Sequence, residues 1–138
     1  MPEFPELDQF PIKTYDKIRY ADTDRQGHVN NEVFANLLET GRVEILYNPD
    51  NPLACKNCSF VIVSLTLNFH AEITWPGIVE IDTRVAKLGR SSITIEQGLF
   101  QDGTCVATAS TVIVHMRDDV KRSEPLNDLA MSFLNGLF

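Results

Sequence analysis

Two aspartates, a histidine and two asparagines crowd the segment Arg19-Tyr20-Ala21-Asp22-Thr23-Asp24-Arg25-Gln26-Gly27-His28-Val29-Asn30-Asn31. Carboxylates at Asp22 and Asp24, with the His28 imidazole, can move protons or attack an electrophilic carbonyl. A carboxyl of this type has an ordinary pKa of about 3.9 and is ionised at neutral pH without tuning. Directly behind the segment a helical periodicity begins, which brings the open N–H groups of a first helical turn to the same place. That end of a helix favours a developing negative charge. A carboxylate beside an oxyanion site is what acyl transfer needs. The same residues also make a self-contained turn, with Asp and Asn side chains bonding their own backbone, and residue types alone leave both readings open. In either reading Asp22 stabilises the turn rather than reacts.

Positioning this segment falls to the elements around it. Residues 1–11 are rich in proline and acid and read as an extended lead-in; Tyr15 to Tyr20 suits a short strand, followed by a polar turn from Asp22 to Gly27. Phe34, Leu37, Leu38, Gly41 and Ile45 then recur at three- and four-residue spacings, predicting a helix from about Asn31 to Tyr47. Asn30 or Asn31 can cap it and Glu32 suits its positive end. Gly41 costs about 1 kcal/mol of helix propensity relative to Ala, a cost explained if a sheet approaches that face closely. Asn48-Pro49-Asp50-Asn51-Pro52 stops the helix.

Strands follow. Leu65, Leu67, Phe69, Ala71 and Ile73 alternate with polar residues, and Val79, Ile81, Thr83 and Val85 alternate again after a Pro76-Gly77 turn. Ser92 to Phe100 and Cys105 to Met116 read as two more strands, joined by the hairpin signal Asp102-Gly103. Leu126, Leu129, Ala130, Phe133, Leu134 and Leu137 give a short terminal helix over about 126–137. The order is strand, long helix, four strands, short helix, an α+β layering in which a curved sheet covers the long helix. Tight turns between the four strands predict an antiparallel meander.

Length and charge bound the function. A chain of 138 residues fits one domain. Twelve basic against 19 acidic residues, a net charge of −7, disfavour non-specific nucleic-acid binding, which depends on neutralising phosphates. Charged residues interrupt every apolar run, so no membrane-spanning helix is expected, and the acidic start lacks the core of a signal peptide; a cytoplasmic address follows as an expectation. Three cysteines suit a reducing compartment. Cys55 and Cys58 form a lone C-x-x-C, read as two free thiols because a structural zinc site wants two further ligands at suitable spacing. His70 and His115 fall on strands without metal-like spacing and read as sheet or interface residues.

The string Asp22-x-Asp24-x-x-Gly27-His28-Val29-Asn30-Asn31 resembles the corresponding segment of the 4-hydroxybenzoyl-CoA thioesterase-like branch of the hotdog superfamily. The likeness continues in the Glu39 and Arg42 pair, in Gly89-Arg90-Ser91-Ser92, and in the strand order, and covers roughly residues 15–125. The resemblance implies a hotdog fold, a curved antiparallel sheet wrapped around a central helix. It implies hydrolysis of an acyl-CoA thioester to a carboxylic acid and CoA, with Asp24 as nucleophile or general base and the backbone N–H near Asn31 polarising the carbonyl. Gly27 would let the backbone approach the thioester or serve a positive-φ turn; His28 would touch substrate, orient Asp24, or simply pack. Asn30 would be a cap first and a site contact second. Arg90, Ser91 and Ser92 match a CoA-contacting segment, to which Lys87, Arg117, Lys121 and Arg122 could add positive charge. Phe34 departs from the family, where a tyrosine is frequent, and could shape the substrate pocket. The family also implies a homodimer joined sheet edge to sheet edge, or a tetramer of two such dimers, with the site between subunits and an acyl-carrier protein as the alternative to CoA. No metal or redox cofactor is implied. The rival readings are an acyl-thioester hydratase or dehydratase, and an acyl-CoA-binding protein without turnover.

Overall fold

The computed structural model describes residues 10–138, so most of the expected extended lead-in lies outside the described residues. Five strands and two helices follow in the order β1 (Ile12–Lys17), α1 (Asn31–Leu46), β2 (Cys58–Phe69), β3 (Ile78–Leu88), β4 (Ser92–Gln101), β5 (Thr104–Arg117) and α2 (Asp128–Asn135). They form one antiparallel sheet in the order β1-β3-β4-β5-β2, packed on α1. This is the α+β, hotdog arrangement.

Two expectations need correction. The first strand runs over Ile12–Lys17, three residues ahead of the place that the Tyr15–Tyr20 pattern suggested; Tyr20 instead opens a 3-10 turn. The meander is three strands long, not four. β2 does not pair with β3 but crosses to the far edge and pairs with β5. The 70–77 connection is no hairpin turn, because its residues are used elsewhere: Ile73 is fully buried and its carbonyl accepts the Val29 N–H at 2.8 Å. The Asp102-Gly103 turn does close a hairpin, with Gln101 opposite Thr104.

Gly41 explains how α1 sits so close. A Cβ at this position would stand 2.6 Å from the Gln97 Nε2, 2.8 Å from the Ile81 Cγ2 and 2.9 Å from the Thr83 Oγ1. Here Gln97 donates to the Leu38 carbonyl at 2.9 Å, so helix and sheet are bonded as well as packed. Two apolar clusters flank this contact. One gathers Ile18, Val29, Phe34, Leu38, Ile73 and Leu99 beneath the Asp24 loop; the other gathers Ile45, Leu53, Ile95, Ile113, Leu126 and Leu134 at the other end.

β2 is an unusual edge. A bulge between Ile62 and Ser64 shifts its register, so Phe60 and Ile62 before it and Leu67 and Phe69 after it all reach the helix side. Ile62, Leu65 and Phe69 nevertheless remain 41–48% exposed, because the strand overhangs α1. No helix among the described residues is long and apolar enough to cross a membrane.

Candidate active site

The Asp24 segment folds as a small hairpin of its own. Thr23 bridges Val29, the Asp24 N–H donates to the His28 carbonyl at 2.8 Å, and His28 bridges Thr74 on the 70–77 connection. Gly27 sits at the tip with φ of 80°, and a Cβ there would meet nothing within 4 Å. Its requirement is the positive φ and not a close approach of backbone. Asp22 is buried, takes the Arg19 guanidinium at 2.8 Å and the Arg19 N–H at 3.1 Å, and is held below the usual carboxylate range by these bonds. It is the turn residue that its position suggested.

Asp24 is exposed, and its Oδ1 accepts the N–H groups of Gln26 at 2.8 Å and His28 at 3.1 Å. These bonds fix the carboxylate from behind. It opens onto a cavity of about 390 Å³ lined by Asp24, His28, Asn30, Asn31, Phe34 and Phe69, with Val29, Ala71 and Glu72 completing the wall. Phe34 is buried and meets Phe69 edge-on at 4.9 Å, forming an apolar side to an otherwise polar cleft. His28 Nε2 lies 3.0 Å from a Glu72 carboxylate oxygen.

The expected caps are not made. Asn30 stands at the N-cap position of α1, but no side-chain hydrogen bond caps the helix among the described residues. Its backbone is committed instead: the N–H goes to the Asp22 carbonyl at 3.0 Å and the carbonyl takes the Val33 N–H at 2.9 Å. The helix start therefore carries no side-chain cap where Asn30 and Asn31 line the cavity, at the positive end of the helix.

Against known proteins, a model of the thioesterase-like superfamily matches residues 18–134. The chain belongs to that superfamily. Solved structures agree. The PA5185 protein of Pseudomonas aeruginosa superposes with a TM-score of 0.86 at 26% identity, covering 96% of this chain and 95% of that one. A predicted thioesterase of Bacillus stearothermophilus gives 0.82 at 29% identity, covering 91% and 94%. A thioesterase of Thermus thermophilus, complexed with coenzyme A and Zn, gives 0.75 at 25% identity, covering 93% and 94%. No curated protein matches.

Within this superfamily member, the residues singled out in the sequence divide into two places. Asp24, His28, Asn30, Asn31 and Phe34 share the cavity, with Gly27 in the loop beside it. Arg90, Ser91 and Ser92 lie at the opposite end of the sheet: the Ser91 carbonyl accepts from His115, the Arg90 carbonyl from Leu126, and Ser92 faces Val114. Glu72, Phe69 and Ala71 are cavity residues that the sequence did not reveal. Phe69 ends β2, and Ala71 and Glu72 follow it on the 70–77 connection; all three are remote from Asp24 in the chain, and the path of β2 and of that connection brings them in. Glu39 and Arg42 line a common cavity against β2, Glu39 exposed and Arg42 buried, and burial lowers the Arg42 pKa against the opposing charge of Glu39. His115 is not a plain sheet residue; it meets Cys55 and Cys58 at the Arg90 end.

Proposed function

We propose that the chain hydrolyses acyl-CoA thioesters to a carboxylic acid and free CoA. One observation carries this reading: a carboxylate pinned by two backbone N–H groups shares a cavity with an uncapped helix start. Asp24 either draws a proton from the water that attacks the thioester carbonyl, or attacks it itself to give a mixed anhydride that water then cleaves to the acid and free Asp24. The carbonyl oxygen accepts from the first-turn N–H of α1 near Asn31, which stabilises the charge that develops there. His28, held by Glu72, positions the acyl group or its water, and Phe34 with Phe69 receives the acyl chain. CoA leaves as the thiol.

The reading includes a homodimer joined along β2. Two-fold pairing of like strands is antiparallel, and sets the Phe69 end of one β2 against the Cys58 end of the other. It covers the exposed apolar residues of the edge. It also supports a shared site, because the Arg90-Ser91-Ser92 end of one copy then approaches the Asp24 cavity of the other. Arg90 in that place meets the CoA phosphates.

The test is a panel of acyl-CoAs with detection of released thiol. Asp24→Asn is expected to lower kcat by about 10²- to 10⁴-fold with an unchanged circular dichroism spectrum. Full turnover in that variant removes Asp24 from the mechanism. Hydration of crotonyl-CoA without thiol release would replace hydrolysis by hydratase chemistry, and saturable binding with neither reaction would leave a binding protein.

A further inference from the structure

The far end of β2 carries a second cluster, one that thioester hydrolysis does not use. Cys55 and Cys58 close a tight turn in which the Cys58 N–H donates to the Cys55 carbonyl at 3.1 Å and Asn57 takes a φ of 61°. His115, fully buried on β5 and 60 residues from Cys55, faces this turn. The His115 Nδ1 lies 2.9 Å from the Glu124 carbonyl, which can only accept, so that nitrogen carries the proton. Nε2 therefore presents its lone pair to the turn, where it takes the Cys55 N–H at 3.1 Å. A ring oriented by a carbonyl behind it, with the other nitrogen offered forward, is the usual posture of a metal-bound imidazole.

Both sulfurs and a ring nitrogen of His115 lie within 4.8 Å of one another. Zinc bonds of about 2.3 Å to sulfur and 2.0 Å to nitrogen set tetrahedral ligands roughly 3.5–3.8 Å apart, so the three need to draw in by about 1 Å. Asn127 Nδ2 already stands 3.8 Å from the Cys55 sulfur, an N–H that a thiolate would use. The surrounding charge has the right sign for a cation. The carboxylates of Glu124 and Asp118 stand near the Cys58 sulfur, and the nearby Arg117 guanidinium is engaged by Asp119 at 3.1 Å.

We propose that Cys55, Cys58 and His115 bind one divalent zinc-class cation, with the fourth position open to water. Thiolate and imidazole together favour such a borderline-soft ion over calcium or magnesium. On binding, the two thiols give up their protons to solvent, and His115 Nε2 exchanges the Cys55 N–H for the metal. The ion clasps the start of β2, the end of β5 and the 122–127 segment. Within one chain it stands about 36 Å along β2 from the Phe69 end, so it takes no part in that chain's own Asp24 cavity, although the proposed dimer would bring it toward the partner's. Nothing in it depends on hydrolysis.

The experiment uses the full chain, reduced and stripped with a chelator, then titrated with zinc against a chromophoric competitor. One equivalent per chain is expected, with a rise in Tm on loading. Cobalt in place of zinc should give a thiolate-to-metal charge-transfer band and the intense visible bands of a tetrahedral site. Cys58→Ser, at a partly exposed position that tolerates the change, should lose that band and weaken zinc binding by at least about tenfold, the scale of outer-shell changes alone. Cys55→Ser should do the same. Equal zinc affinity in parent and variants overturns the proposal. So does a parent kept reduced throughout that retains no zinc. Since metal content and spectrum are the readouts, loss of this site and loss of the Asp24 mechanism are told apart.

Discussion

Asp24 and Asp22 are two residues apart and chemically identical, yet the fold gives them opposite surroundings. Asp22 is 6% exposed and locked to Arg19, whereas Asp24 is exposed and held only through one oxygen. The Asp22 pKa is lowered in the folded state, so its ion pair adds stability above the unfolded carboxyl pKa, and loses it as pH falls through the lower folded value. Asp22→Asn should accordingly be less stable than the parent at neutral pH, with the gap in Tm closing on acidification below about pH 4. A constant gap would show that the carboxylate charge is not what holds the turn. Arg90 makes a different prediction. Arg90→Ala should raise KM for acyl-CoA by up to about fivefold, the scale of an exposed ion pair, and leave KM for an acyl N-acetylcysteamine thioester unchanged. Equal effects on both substrates would mean that Arg90 does not meet the nucleotide. The Asp24 string was legible because its members are contiguous in the chain and end at a helix start. Glu72 and Phe69 were not, since nothing local marks a residue that reaches the cavity from the end of β2 or the loop after it.

Among the elements, α1 shows how sequence punctuation translates into position. Its bounds fell almost where the periodicity and the Asn-Pro stop put them, and Gly41 turned out to mark a real approach of the sheet. Gly41→Ala should destabilise the protein by about 1–3 kcal/mol, as overpacking does, because Gln97, Ile81 and Thr83 all stand in the way. Denaturant unfolding checks this; an unchanged midpoint would mean that the three neighbours yield freely. β2 was harder to read. Its first half, Cys58-Ser59-Phe60-Val61-Ile62-Val63, lacks alternation because the bulge changes the face in mid-strand. Its end was overrun because Ala71 and Ile73 continue the apolar spacing after the chain has left the sheet: the N–H groups of His70 and Ala71 both turn to the Val106 carbonyl. Pro76-Gly77 looked like a hairpin for the same local reason, and pairing order is not a local property.

For the molecule as a whole, the uncovered side of β2 is what the proposed pairing would cover. Leu65 alternates with Leu67 and stays 41% exposed on the helix side of the edge strand. A chain of this size buries a modest share of its surface alone, so the pairing would supply stability as well as a complete site. Leu65→Lys should shift the protein toward monomer in light scattering and lower turnover together, because a charge on the edge opposes pairing. A fully active monomer would separate the site from the second copy. Thiol and imidazole contacts at the Cys58 end were invisible beforehand for a global reason too: His115 reaches the C-x-x-C turn only because β2 and β5 pair along their full length.

The bare start of α1 has an evolutionary edge. A side chain at position 30 that did bond the N–H groups of the opening turn would strengthen the helix by about 1 kcal/mol. On the proposed mechanism such a gain would plug the socket for the carbonyl oxygen. A screen that selects Asn30 variants for heat resistance alone would therefore be expected to enrich inactive protein, and the most durable clones should be the poorest hydrolases.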